Sequence, residues 1–163
     1  MSKPYIQVDI SGQQLHLLGG VRRSYPVSTA FNGAGEQEGS GCTPRGKHVI
    51  ADKIGAGQPI NSVFVGRVPT GEIYHAELAA QYPERDWILS RILWLHGLEP
   101  GFNQGGGCDS HKRYIYIHGT PDTEPMGEAR SHGCIRMRNT DMLELFELVE
   151  VGTSIEIFER LGS

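Results

Sequence analysis

Positive charge is scarce in this chain. Lys and Arg number 15 against 19 Asp and Glu, a formal net charge of −4. No basic footprint runs along it, so nucleic acid is not expected as a partner. Long apolar runs are missing as well. None approaches the ~20 residues that a membrane-spanning helix needs, so no membrane span is expected. Cysteine is sparse, with Cys42, Cys108 and Cys134 only. Three thiols cannot all pair within one chain, and a disulfide scaffold carries more, in even number. Reduced thiols are expected, with Cys42 and Cys108 as ordinary loop or core residues. A signal-peptide pattern is lacking too: one Lys precedes Pro4, and strand-like alternation starts at Tyr5. These features together lead to an expected cytoplasmic location, or a periplasmic one if a leader has been removed. No repeat, low-complexity tract or linker interrupts the chain, so 1–163 reads as a single domain.

Glycine is abundant, 22 residues, and punctuates the sequence into short segments. Tyr5 to Ile10, Gln13 to Leu18 and Val21 to Ser28 read as strands of an antiparallel meander joined by Gly turns. Positions 31–46 read as a polar loop ending in the turn Thr43-Pro44-Arg45-Gly46. Lys47 to Ile54 resumes as strand. Ser62 to Val65 and Glu72 to His75 are short strand candidates, and Ala76 to Asp86 holds a helical turn interrupted by Pro83. Trp87 to Leu95 is a strong apolar segment, with both tryptophans read as core. Gly97 to Gly107 reads as a long mobile loop. Tyr114 to His118 is the clearest buried strand. Asn139-Thr140-Asp141 is expected to cap a helix whose Met142, Leu145, Phe146 and Val149 form one apolar face, with Gly152 ending it. Ser154 to Glu159 closes the sheet. The expected class is mainly β with minor α, with one main helix after the last cysteine.

Chemistry concentrates in Ser131-His132-Gly133-Cys134-Ile135-Arg136 and in His118-Gly119. A thiol attacks as thiolate, and a nearby imidazole can take its proton. Cys134 is therefore the candidate nucleophile and His118, ending a rigid strand, its base. Gly133 would let a substrate carbonyl approach the backbone, where the amides of Gly133 and Cys134 could donate to an oxyanion. Ser131 or a backbone carbonyl would fix the imidazole tautomer. A zinc protein is the competing class, with His118, His132 and Cys134 joined by His111 or Cys108. No Cys-x-x-Cys or His-Glu-x-x-His spacing supports it, and the expectation is no metal and no cofactor. A papain-like peptidase has the opposite order, cysteine before histidine.

His118-Gly119-Thr120 followed by Ser131-His132-Gly133-Cys134-Ile135-Arg136-Met137 resembles the signature of the L,D-transpeptidase catalytic domain family, the YkuD-like fold. Thr43-Pro44-Arg45-Gly46 is similar to that family's Thr-Pro-x-Gly turn, and Arg113 to Gly119 to its strand into the catalytic histidine. The resemblance implies a β-sandwich or open barrel. It implies Cys134 as nucleophile, His118 as base, His132 and Gly133 shaping the turn, and Ser131 supporting it. It also implies a muropeptide substrate, cleaved between an L-centre (meso-diaminopimelate or Lys) and D-alanine through a Cys134 thioester, and carbapenems as covalent inhibitors. Water as acceptor makes an L,D-carboxypeptidase of murein recycling; an amine makes a 3-3 cross-linking transpeptidase. Without a leader or paired cysteines, water is the expected acceptor. A catalytically silent muropeptide-binding module is the remaining alternative. Arg136, Tyr116, His96, Glu99 and Asn103 are the candidate substrate contacts, Arg136 because a guanidinium can clamp a carboxylate.

Overall fold

A computed structural model describes residues 3–162. The alternating segments at the start form β1 (Tyr5–Asp9), β2 (Gln14–Leu18) and β3 (Arg23–Ser28), an antiparallel meander. Ile6, Val8, Leu15, Leu17, Tyr25 and Val27 point to the buried side, as period-two alternation requires. β4 is Gly46–Ile54, β7 Ile88–Gly97, β8 Tyr116–Thr120, β9 Ile135–Arg138 and β10 Ser154–Phe158. β10 lies parallel to β1 and antiparallel to β4. β3 pairs with β9, β9 with β8, β8 with β7, and β7 with β4. The hydrogen-bonded order β1-β2-β3-β9-β8-β7-β4-β10 therefore returns to β1. Closure leaves these eight strands no free edge along the ring.

A hairpin of β5 (Ser62–Val65) and β6 (Val68–Ile73) stands outside the ring. It joins the first residues of β7 through Val63 with Leu89 and Phe64 with Ile88. The later part of β7, Ile92 to Gly97, pairs with β4 instead. Inside the ring, Ile50, Leu93, Leu95, Ile117, Ile135, Met137, Ile155 and Ile157 form one apolar cluster with the meander residues. Helix α2 (Asn139–Leu148) adds Met142, Leu145 and Phe146 to it, with Val149 just beyond the helix. Each such side chain contributes roughly 1.5–3 kcal/mol on burial.

The class is mainly β with minor α, as the alternation predicts, but several boundaries differ. A second helix, α1 (Ala76–Gln81), precedes Pro83. β6 starts at Val68, earlier than the Glu72 to His75 candidate. β8 begins at Tyr116, because Tyr114 turns into a left-handed conformation (φ 58°) and is exposed. Asn139 does not cap α2: Arg138 holds that position without a side-chain bond. The Asn139 side chain is buried and bonded elsewhere, to Ser90 Oγ, Asn61 Oδ1 and Thr120 O. Gly152 does not end the helix, which stops at Leu148; it makes the turn before β10. The 97–107 segment is tied down rather than loose. Asn103 is fully buried and bonds Arg45 O, Lys47 O and the Glu99 amide.

His48 lies on β4 with no solvent exposure. Its Nδ1 donates to Gly46 O at 3.0 Å and its Nε2 lies 2.8 Å from Ser110 Oγ. Burial pushes its pKa down to about 4. The unfolded chain, with an ordinary imidazole near 6.5, takes up a proton first as the medium is acidified. Stability linked to His48 is therefore intact above pH 6.5 and lost as pH falls toward 4, by about 3 kcal/mol. Urea titrations at stepped pH should show this slope, and His48→Gln, less stable at pH 7, should show a shallower one.

Candidate active site

β8 and β9 run parallel, with His118 opposite Arg136 and Ile117 opposite Ile135. The isoleucines face the core. The alternate residues Tyr116, His118, Cys134 and Arg136 face the other way, into a cleft of about 520 Å³. Ser131, His132, Arg67, Asp86, Arg113 and Tyr114 complete its main lining. The two sequence motifs thus meet in one cavity, through neighbouring strands.

Cys134 sits where the 131–134 turn enters β9. Its Sγ is 3.4 Å from the Tyr116 amide and 3.4 Å from Tyr114 O. It is open only toward the cleft, and burial pushes its thiol up to about 12; the Tyr116 amide, Arg136 and Arg113 pull the other way. His118 is buried, and its Nδ1 lies 2.6 Å from Gly119 O. A carbonyl only accepts, so Nδ1 carries the proton and Nε2 keeps its lone pair. Burial lowers the His118 pKa, opposed by Asp86 and by the Gly119 bond. Both shifts favour a neutral thiol and a neutral imidazole at rest. Gly119 is required by crowding: a Cβ there would strike Leu89 O and the Asn139 side chain.

The turn is built by hydroxyls. Ser131 Oγ donates to Cys134 O at 2.5 Å and accepts from the Gly133 amide at 3.2 Å. Ser131 therefore shapes the turn and does not touch the imidazole; the Gly119 carbonyl fixes the tautomer. The Gly133 amide is spent on Ser131, which leaves the Cys134 amide as the expected oxyanion donor of that pair. Gly133 adopts φ 136°, a conformation glycine alone holds easily, and a Cβ would press on Cys42 O and Ile115. Thr43 Oγ1 donates to Gly133 O at 2.9 Å and accepts from the Ala30 amide at 3.0 Å. The Thr-Pro-Arg-Gly turn thereby clamps the cysteine turn from the far side.

Of the candidate contacts, Arg136 and Tyr116 line the cleft and three others do not. Arg136 is engaged with Asp86 at 3.3 Å. Glu99 Oε2 accepts from the Lys47 amide, and Asn103 braces the start of β4. His96 lies beside Gln104 and meets the edge of His111. These three are structural because the loop that carries them folds back on β4. The sequence reading missed Asp86, Arg67 and the role of Thr43; only the position of Thr43 in a motif hinted at it. The zinc set does not assemble, and among the described residues no three His, Cys, Asp or Glu side chains gather as metal ligands. Cys108 is buried with its Sγ on Gly105 O, and His111 stacks on Trp94 at 3.9 Å.

A mainly β ring with a cysteine and a histidine in one outer cleft defines a cysteine–histidine site on an L,D-transpeptidase-like fold. The family model for the L,D-transpeptidase catalytic domain (YkuD) matches residues 3–157, and the chain belongs to that family. A protein of Bacillus licheniformis named for L,D-transpeptidase activity, YkuD, is 48% identical over 46 residues, 28% of each chain. YbiS of Escherichia coli K12, likewise named, is 45% identical over 48 residues, 29% of this chain and 16% of that one. The matches thus span under a third of those relatives. Among solved structures, L,D-transpeptidase 3 of Mycobacterium tuberculosis superposes with a TM-score of 0.60 at 16% identity, covering 97% of this chain and 62% of that one. A second crystal structure of that enzyme is in complex with a faropenem-derived adduct. An L,D-transpeptidase of Mycobacterium smegmatis gives 0.58 at 19% identity, with 96% and 59% covered. At such identities the likeness is one of fold.

Thr43→Val keeps the volume and removes both hydroxyl bonds. It should destabilise the protein by about 2 kcal/mol and slow acylation of Cys134, whereas Thr43→Ser should keep both near wild type. Thermal melts and labelling by an electrophilic β-lactam, followed by intact mass, measure the two effects.

Proposed function

We propose that this chain is a cysteine acyl-transfer enzyme of peptidoglycan metabolism. Its substrate is a muropeptide tetrapeptide, cut between the L-centre of residue three and the terminal D-alanine. The observation that carries the reading is the shared cleft of Cys134 and His118, with the His118 Nε2 lone pair left free by the Gly119 bond. Substrate binding excludes water and brings the carbonyl carbon over the sulfur. As the S–C bond forms, the thiol proton passes to His118 Nε2. The Cys134 amide donates to the oxyanion. The C–N bond then breaks, and His118 returns the proton to the departing D-alanine amine. Asp86, on the Arg136 side, favours the transient imidazolium.

Water is the acceptor in this reading. His118 takes a proton from it, hydroxide adds to the thioester, and the thiol leaves with that proton. Tripeptide is released and Cys134 is regenerated. Three unpaired thiols support a reducing, cytoplasmic setting, where recycled muropeptides are met. Cross-linking through an amine is the second reading, favoured by the family itself. Carbapenems, by the same route, should acylate Cys134.

Incubated with a disaccharide-tetrapeptide, the wild type should release tripeptide and D-alanine, and Cys134→Ala should release none while still binding. Accumulation of peptide dimers would make the amine reading correct. Release by Cys134→Ala at the wild-type rate would sink the thioester step.

Because burial holds the His118 pKa below the ordinary imidazole value, the neutral base already predominates at pH 6.5. The acid limb of kcat/KM should therefore fall below pH 6.5. Alkylation of the free enzyme by iodoacetamide should instead keep rising through pH 10, since the Cys134 thiol is held near 12. A plateau in that alkylation below pH 8 would show a preformed ion pair.

A further inference from the structure

Arg67 stands at the tip of the β5–β6 hairpin, in the two-residue connection Gly66-Arg67. Both residues have positive φ, 57° and 66°, which is the type I′ geometry that suits Asn or Gly. An arginine is an unfavourable choice there, so the turn itself does not account for it. The side chain lies back over the sheet. Its guanidinium carbon is 4.5 Å from the centre of the Trp94 ring and 5.1 Å from that of Tyr114. One nitrogen donates to Tyr116 Oη at 2.9 Å. Among the described residues no carboxylate forms an ion pair with it, whereas Arg136 in the same cleft has Asp86. Arg113, the third arginine, is occupied by Cys42 O at 2.7 Å and packs behind Gly133.

Tyr116 connects this cation to the nucleophile. Its amide touches Cys134 Sγ and its hydroxyl touches Arg67. The separation of sulfur and guanidinium is thus at most one tyrosine side chain plus its two contacts. A carbonyl carbon attacked from about 3–3.5 Å, a carboxylate one residue further on at roughly 3.5 Å per residue, and a charge-assisted hydrogen bond of about 2.8 Å together reach roughly 10 Å, inside that upper limit. A guanidinium lying over two rings, with one nitrogen given to Tyr116, keeps its remaining N–H groups for a carboxylate.

The geometry points to Arg67 as the residue that binds the free terminal carboxylate of the peptide cut at Cys134. This inference rests on the acyl-transfer reading for the identity of the ligand, a peptide ending in D-alanine. It makes the hairpin tip the element that selects a chain end over an internal peptide bond. The reaction centre is unchanged by it; the residue positions substrate.

The test separates binding from turnover. In Cys134→Ala protein, calorimetry compares a disaccharide-tetrapeptide bearing the free carboxylate with its C-terminal carboxamide. The acid is expected to bind at least tenfold more tightly. Adding Arg67→Gly should erase that preference by weakening the acid alone, and Arg67→Lys should restore part of it. Glycine suits the local φ, so this variant keeps the turn. With Cys134 intact, Arg67→Gly should raise KM for the acid at least tenfold with kcat changed far less. Equal weakening of acid and amide would make Arg67 only a brace for the hairpin and overturn the inference. So would an acid preference that survives Arg67→Gly. If the preference depends on Arg67 but the intact enzyme frees no D-alanine, the inference stands and the hydrolytic reading falls.

Discussion

The site depends on one pairing, the parallel register of β8 with β9. It sets His118 beside Arg136 and brings the Tyr116 amide to the Cys134 sulfur. Parallel neighbours need a long crossover, and here residues 121–134 supply it without a regular helix or strand. The crossover returns the chain to the end of β9 nearest Tyr116, so Cys134 arrives just as the strand begins. A slip of one residue would turn Cys134 and Arg136 into the core and Ile135 and Met137 out to solvent. The apolar cluster therefore holds Cys134 and His118 in place: Ile135, Met137 and Ile117 are fully buried on the opposite face. Core packing and the geometry of the cleft are two faces of the same strands.

The same burial sets the charge state. Desolvation raises the thiol and lowers the imidazole, so neither group is charged before substrate arrives. Two exposed groups of this kind would titrate near their ordinary values and would also meet water freely. A neutral pair suits a thiol that must wait without being oxidised, since the thiolate is the reactive species. In the proposed reaction the cost is that the proton must move during attack, which makes the position of His118 Nε2 more demanding. The Gly119 carbonyl meets that demand with a bond inside the chain that needs no third side chain.

Much of this was legible in the residues. Period-two alternation located β1 and β10, glycine turns marked the meander, the Thr-Pro-Arg-Gly turn marked the start of β4, and the i, i+3, i+4, i+7 apolar pattern located α2, because those signals are local. The Ser-His-Gly-Cys and His-Gly motifs located the cleft. What failed was decided by distant contacts. Glu99 and Asn103 read as groove residues, yet their side chains tie their own loop to β4. Asn139 read as a cap, the usual local use of asparagine, yet it is drawn into a buried network. Asp86 and Arg67 carry no local signal, since only folding brings them to the cysteine.

The Asn139 network explains why a hairpin reaches the cleft at all. β7 is irregular between Leu89 and Ile92, where Ser90 takes a left-handed φ of 72°. Ser90 Oγ donates to Asn139 Oδ1 and accepts from the Asn61 amide, and Asn139 in turn binds Asn61 Oδ1 and Thr120 O. These buried bonds hold a residue that would otherwise relax to a regular strand. The bulge divides β7. Its later part closes the ring on β4, and its first residues lean out to pair with β5. Straightened, β7 would offer β4 a longer edge and leave the hairpin no strand to join. The bulge also lies beside His118, at the point where β8 passes between Leu89 and Ile92. One strained serine therefore both frees the hairpin that carries Arg67 and fixes the strand that carries His118. A closed barrel alone would bury the core and leave its outer face featureless; the break in β7 gives that face a wall.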